Sequence, residues 1–261
     1  MVNILERFSL SGRVCLVTGG AGPRFGSSIS EALAEAGATV ICASRSLERN
    51  ERFAEHLRSK GFQAHGMRLD IGDLDSIGQL HERVMGEFGR LDVLVNSAIV
   101  AVGGSFETQS PEDWMRSGRG DMTGLFAMHK AFVPDMVRQG KGAIINIASI
   151  YGVVGNDPSL YEGTEMRQPP HYNFAKAGMI NFTRYLANYY GKKGVRANCI
   201  SPGGYFDHQP EAFVSRYCHR VPMGRMLHHE DLKGAVVFLA SDASEYVTGI
   251  NLLVDGGWTA V

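Results

Sequence analysis

The chain has 261 residues, 44% of them hydrophobic and 20% charged, with a formal net charge of −1. That length suits one large α/β domain with a substantial core. The balanced charge offers no basic field for nucleic acid or an anionic membrane, and no apolar run approaches the roughly 20 residues of a membrane span.

In chain order, the opening MVNILERFSLSGRVCLV is too short and too charged for a secretory signal, so a cytoplasmic protein is expected. Short apolar runs predict strands at 13–18, 39–44, 62–70, 91–96, 142–149, 195–201 and 251–255. Helical periods lie between them, as in Leu74, Ile77, Val84 and Phe88, and again in Leu232, Ala235, Val236 and Leu239. Ser110-Pro111-Glu112-Asp113 reads as a helix start, with an N-cap serine, proline at N1 and an acid at N3. Strands this apolar must be covered on both faces, which predicts a doubly wound parallel sheet of about seven strands in one α/β domain over 1–261. Cys15, Cys42 and Cys199 fall in strands and Cys218 stands near a loop. With no CxxC pair, neither zinc nor a disulfide is expected. His228-His229-Glu230 reads as a helix entrance, and no metal site is predicted.

Directly after the first strand comes TGGAGPRFGSSISEALAEAG, Thr18 to Gly37. Gly19, Gly20, Gly22 and Gly26 crowd a strand-to-helix turn, with Ile29, Leu33 and Ala36 on one side of the helix that follows. Such a turn lets backbone approach a pyrophosphate and aims helical N–H groups at it, so dinucleotide binding is predicted. The second strand ends in Ser44-Arg45, where an acid would bind the adenosine ribose hydroxyls. A guanidinium there can pair with a 2′-phosphate, and Arg24 is a second candidate. NADP(H) is therefore expected over NAD(H), with NAD(H) use still possible. In DIGDLD, Asp73 reads as a helix cap; the glycine and terminal glutamate of a calcium loop are missing.

In HYNFAKAG, residues 171–178, a tyrosine and a lysine stand four apart in what reads as the start of a long helix. That spacing puts both on one face. A phenol with a pKa near 10 is a poor base at neutral pH, and a neighbouring ammonium is expected to lower that value. Ser149 ends the fifth strand, where active-site groups of open α/β sheets gather.

With these motifs in this order, the chain resembles the short, single-domain branch of the short-chain dehydrogenase/reductase family over essentially its whole length. The family turn TGxxxGxG is matched at Thr18 and Gly19. Gly26 comes one position late, after Pro23, Arg24 and Phe25, so the loop is one residue longer. The resemblance implies a Rossmann-like fold and a catalytic set of Ser149, Tyr172 and Lys176, in which Tyr172 passes a proton while hydride moves between substrate carbon and nicotinamide. It implies cofactor contacts from Thr18, Gly19, Gly20, Gly22, Arg24, Phe25 and Gly26, from Ser44 and Arg45, and from Asp70 and Ile71 beside the adenine. Further contacts are implied for Asn96, Ser97, Ala98, Tyr172, Lys176, Pro202 and Gly203. Counting seven residues from Trp114, or back 28 from Ser149, reaches Asp121 where the family carries an asparagine that helps hold a water relay. The aspartate is expected to raise the pKa of Lys176 and weaken its pull on Tyr172. NSAI at 96–99 replaces the family's NNAG, and a threonine usual after Pro202-Gly203 gives way to Tyr205, Phe206 and Asp207. DGGW at 255–258 matches a C-terminal signature of tetramer interfaces, implying a homo-oligomer, tetramer or dimer.

The interval from Ser149 to Tyr172 is longer than the family's and holds NDPSLYEGTEMRQPP. Long polar insertions serve as lids or binding loops, so segments 151–171 and 203–228 are expected to form the substrate side. Tyr151, Tyr161, Glu162, Arg167 and Tyr205 are the candidates. Tyrosines suit sugar faces, glutamate suits hydroxyls and arginine suits a carboxylate, so a polyhydroxylated or acidic small molecule is favoured. The pattern resembles gluconate dehydrogenases and sugar-acid reductases. Two alternatives stay open: a catalytically silent nucleotide-binding sensor, suggested by Asp121 and the altered turn, and a ketoreductase for simple or apolar carbonyls. Epimerases and dehydratases of the superfamily need a larger substrate domain than this length holds.

Overall fold

A computed structural model describes residues 3–261. All seven expected strands form, as β1 (Val14–Thr18), β2 (Thr39–Ser44), β3 (Gln63–Arg68), β4 (Val93–Asn96), β5 (Gly142–Ile147), β6 (Val195–Pro202) and β7 (Asn251–Val254). They make one sheet in the order β3-β2-β1-β4-β5-β6-β7 with every pairing parallel. The order reverses between β1 and β4, the switch point at which ligands bind in open α/β sheets.

Helices cover both faces: α1 (Ile4–Arg7), α2 (Phe25–Glu35), α3 (Leu47–Ser59), α4 (Leu74–Phe88), α5 (Pro111–Gly118), α6 (Leu125–Gln139), α7 (Pro170–Tyr190), α8 (Glu211–Arg220) and α9 (Lys233–Ala240). Successive strand side chains point to opposite faces, and the core divides accordingly. Cys15, Val17, Val40 and Val95 pack beneath Ile29 and Leu33 of α2 and Val236 and Leu239 of α9. Leu16, Ile41 and Leu94 pack beneath Leu80 and Val84 of α4 and Phe132 and Met136 of α6. Each buried Leu, Ile or Phe contributes about 1.5–3 kcal/mol, so this two-sided burial fixes the strand edges that carry the site.

The expected caps are present. Asp73 accepts from the Asp75 N–H, and Ser110 and Asp113 form a reciprocal capping box with Pro111 at N1. Cys218 lies within α8 rather than near a loop. Between α5 and α6 the helix widens into a π-helical turn, Arg119–Gly124, which periodicity does not reveal. A methyl on Gly120 or Gly124 would strike Val100 or the Ile71 carbonyl, so the glycines let this turn press onto the strand edge. Among the described residues, no helix is long and apolar enough to cross a membrane.

Candidate active site

The glycine turn leaves β1 at Thr18. Gly19 adopts φ +71°, a left-handed value that favours glycine, and its N–H donates to the Ala43 carbonyl at 2.7 Å. A methyl on Gly20 would meet Val17 O and Ser30 Oγ within 2.9 Å, and one on Gly26 would run into the Gly19 carbonyl oxygen. Gly26 thus seats α2 on the turn despite coming one position late. The Gly22 N–H donates to Gly19 O at 2.8 Å. Thr18 Oγ1 accepts from the N–H groups of Ser97 and Ala98, each at 3.0 Å, tying the end of β1 to the loop after β4. Asn96 Nδ2 donates to Asn146 Oδ1 at 2.8 Å and braces β4 against β5.

Other cofactor candidates have partners within the chain. Ser44 Oγ donates to Asn50 Oδ1 at 2.6 Å, and Asp70 Oδ1 accepts from the Gly72 N–H at 2.9 Å. Ile71 packs beneath the π-helical turn. Arg24 does not stand free for a phosphate: its Nε and Nη2 both reach Asp207 Oδ2 at 2.7 Å. Beside it Phe25 meets Tyr205 edge to face at 5.4 Å, so the glycine loop is clasped to the segment after β6. Arg45 is exposed and has no ion-pair or hydrogen-bond partner among the described residues. Pro202 ends β6, and the Gly203 N–H donates to Val254 O at 3.0 Å.

Ser149 lies two residues beyond β5, and its Oγ accepts from the Tyr151 N–H at 3.1 Å. Gly152 lets the following turn lie against α7, where a methyl would meet the Lys176 backbone at 2.7 Å. Ser149 and Tyr172 thereby line the same cavity, and the Ser149 hydroxyl favours the phenolate. Lys176, one turn further along α7, is buried. Its Nζ donates to the Ile147 carbonyl at 2.6 Å and sits 5.5 Å from the centroid of the Tyr172 ring. Asp121 is buried in the π-helical turn and accepts the Val100 N–H at 2.7 Å. A cavity of about 10 Å³ touches Asp121, Lys176, Thr18 and Asn96, about the room one water needs.

The charge balance corrects one expectation. Tyr172 is held above its ordinary pKa, chiefly by burial, with Asp121 adding to the rise and the Ser149 hydroxyl opposing it. Burial outweighs the charges beside the phenol, including the Lys176 ammonium 5.5 Å from the ring centroid. Burial brings Lys176 to about 8, with Asp121 opposing that fall. The expected influence of Asp121 on Lys176 thus has the expected sign.

A cavity of about 330 Å³ opens above Ser149 and Tyr172, and Tyr151, Tyr161, Arg167 and Tyr205 all line it. The hydroxyls of Tyr151 and Tyr161 hydrogen-bond each other at 2.9 Å. Arg167 Nη1 donates to the carbonyls of Thr164 and Met166, both at 2.7 Å. Glu162 is not part of the wall; it is exposed, and its carbonyl accepts from Arg216. His171, Gln209, Phe213, Tyr217 and Met226 also line the cavity and were missed in the sequence. Only His171 carried a signal, its position beside Tyr172. Trp258 of DGGW stacks on Tyr217 at 4.5 Å and supports this wall from behind. Near α2, Glu31, His229 and Glu230 converge, with the Lys233 ammonium 3.2 Å from Glu31 and 3.0 Å from Glu230.

A family model described as Enoyl-(Acyl carrier protein) reductase matches residues 20–259. The cis-4-hydroxycyclohexanecarboxylate dehydrogenase of Sinomonas cyclohexanicum is 37% identical over 260 residues, covering 95% of this chain and 97% of the relative. The NADP-dependent mannitol dehydrogenase of Hypocrea jecorina is 34% identical, covering 98% of this chain and 96% of its own length. Among solved structures, a gluconate 5-dehydrogenase from Burkholderia cenocepacia in complex with NADP and tartrate superposes with a TM-score of 0.88. It is 30% identical and covers 99% of this chain and 100% of that one. A match running almost end to end, with dehydrogenases among the relatives, places this chain in the short-chain dehydrogenase/reductase family as an NAD(P)-dependent oxidoreductase acting between CH–OH and C=O.

Proposed function

We propose that this protein is an NADP-dependent enzyme interconverting a secondary alcohol and a ketone on a small polar substrate, polyhydroxylated or sugar-acid-like. The single observation that carries this reading is the cavity that gathers Ser149 and Tyr172 with Tyr151, Tyr161, Arg167 and Tyr205. The residues fit a dinucleotide: Gly20 and Gly26 let α2 pack directly on the turn after β1, the strand–turn–helix arrangement that receives a pyrophosphate. When bound, the nicotinamide cofactor supplies hydride chemistry, and its oxidised ring adds positive charge. Thr18, Ser97 and Ala98 would help hold it, and the exposed Arg45, without a partner among the described residues, would take a 2′-phosphate. Relatives named for NADP support the same preference.

Ser149 is placed to donate to the substrate oxygen. Tyr172 gives that oxygen a proton in reduction and takes it back in oxidation. Because burial raises the phenol, the chain alone favours the protonated form, suited to reduction; oxidation gains from a positive charge brought close to the ring. Lys176 and Asp121 set the local charge. A second reading has its own support. Ile99, Val102, Met166, Phe213 and Met226 make part of the wall apolar, which suits the carbon face of a ring-shaped hydroxy acid better than a chain hydroxylated throughout.

The test is turnover with NADPH or NADP⁺ and a panel of gluconate, mannitol, cis-4-hydroxycyclohexanecarboxylate and their ketones. Activity should drop at least about 10³-fold in Tyr172→Phe, which removes the proton donor. Arg45→Asp should lower the preference for NADPH over NADH about tenfold or more. Tyr172→Phe activity equal to the parent's would end the mechanism, and better use of NADH by the parent would end the cofactor reading.

We also propose a homo-oligomer. Trp114, Phe126, Phe174, Tyr185 and Tyr189 are exposed along α5, α6 and α7, with Met122 of the π-helical turn among them, an apolar face that suits burial against a second copy.

A further inference from the structure

One polar side chain in the cavity has no place in the proton chemistry. His171 stands beside Tyr172 in the first turn of α7 and lines the cavity, with only 4% of its surface exposed. Its Nδ1 lies 2.8 Å from Gln109 Nε2, and that same nitrogen lies 3.3 Å from the Gly103 carbonyl oxygen. A carbonyl oxygen can only accept, so the contact with Gly103 assigns the facing Gln109 atom as the amide nitrogen, which leaves the buried Gln109 Oε1 without a partner. Nδ1 of His171 therefore faces a donor and must present its lone pair. A neutral imidazole carries one ring proton, and here that proton is left on Nε2. Nε2 has no hydrogen-bond partner among the described residues, and it is not among the fully buried side-chain atoms left unpaired. Burial keeps the ring below its ordinary pKa, and the Asp113 carboxylate opposes this only in part, so the ring is neutral at pH 7.

We propose that His171 is a substrate-anchoring residue: Gln109 locks it as the Nε2–H tautomer, and that N–H donates to a second oxygen of the substrate, close to the carbon that reacts. This rests on the reading of the cavity as the active site and narrows it. The substrate class becomes one with a hydroxyl or carboxylate oxygen a few bonds from the carbinol. A monofunctional alcohol leaves the donor unpaired and loses the discrimination that hydrogen-bonding sites provide. Arg167 offers charge for a carboxylate. His171, being neutral, can hold a hydroxyl as well.

The experiment uses the full chain with saturating NADP⁺. Nitrogen NMR of ¹⁵N-histidine-labelled protein should show His171 with an unprotonated, hydrogen-bond-accepting Nδ1 and a protonated Nε2. Gln109→Glu should reverse the pattern or make the ring cationic, because a carboxylate accepts from Nδ1–H. The kinetic arm takes whichever of gluconate, mannitol or cis-4-hydroxycyclohexanecarboxylate the parent oxidises best, beside cyclohexanol, which has no second oxygen. His171→Phe should raise KM for the first at least tenfold, change kcat by less than threefold, lower kcat/KM for cyclohexanol several-fold less than for the first, and leave the Kd for NADPH unchanged. His171→Gln, whose amide can donate, should recover most of the loss. Protonated Nδ1 in the parent, equal losses on both substrates, or an unchanged KM in His171→Phe would each overturn the proposal. Failure of the parent on every panel compound would overturn the active-site reading itself, and the anchor with it.

Discussion

Asp121 brings a carboxylate into a site with little water, where each neighbouring charge acts at low effective dielectric. It raises Lys176, which burial otherwise brings to about 8, and it raises Tyr172. Replacing it with asparagine keeps an oxygen for the Val100 N–H and removes only the charge. Both pKa values should then fall. Oxidation of an alcohol needs the deprotonated phenol, so the acid limb of the kcat–pH profile should move to lower pH by about half a unit or more in Asp121→Asn. An unmoved limb would make Asp121 a structural group for the loop at Val100 and nothing more. At this scale the sequence exposed identities better than environments. The proximity of Tyr172 and Lys176 was legible because helical spacing is a local property. The tuning of Tyr172 was not, because its largest cause is burial, which depends on tertiary packing. The donor role of His171 was hidden for the same reason, since Gln109 lies 62 positions upstream.

At the scale of elements, the strand edges and the glycine turn determine what can bind. Each strand was readable from its apolar run because helices bury both faces of a parallel sheet. The π-helical turn was not, since it depends on Gly120 and Gly124 lying against Val100 and Ile71, contacts made only after folding. The clasp between Arg24 and Asp207 is likewise a tertiary pairing, and it takes one of the two arginines that the local pattern assigned to a phosphate. Gly26 lies between these cases. Its late position was visible, and the close approach it permits is now explicit. In Gly26→Ala the added methyl has only the Gly19 carbonyl to displace, so the loop must open. Overpacking of this kind costs about 1–3 kcal/mol. NADPH affinity is expected to fall at least about tenfold while far-UV circular dichroism stays unchanged. Unaltered affinity would mean that the turn does not cradle the dinucleotide.

At the scale of the whole molecule, the helices that carry the proposed catalytic groups also carry its apolar exterior. Phe126 and Phe174 are 51% and 56% exposed, and Trp114 lies 5.5 Å from Phe174, centroid to centroid. The face continues into a cavity of about 210 Å³ lined by Met122, Leu125, Phe126, Phe174 and Phe182, with Asp121 at its edge. Contiguous apolar surface of this kind marks an interaction site on a folded protein. A second copy seated here would press on the π-helical turn and on α7 together, holding Asp121, Tyr172 and Lys176 in register. Assembly and activity should therefore be coupled. Phe126→Glu puts a charge in the middle of the face without touching the cavity above Ser149. It is expected to sediment as a monomer at micromolar concentration, with kcat reduced several-fold and NADPH affinity nearly unchanged. A parent protein that sediments as a monomer at the same concentration, fully active, would show that this face serves no self-association and that α5, α6 and α7 hold the site unaided.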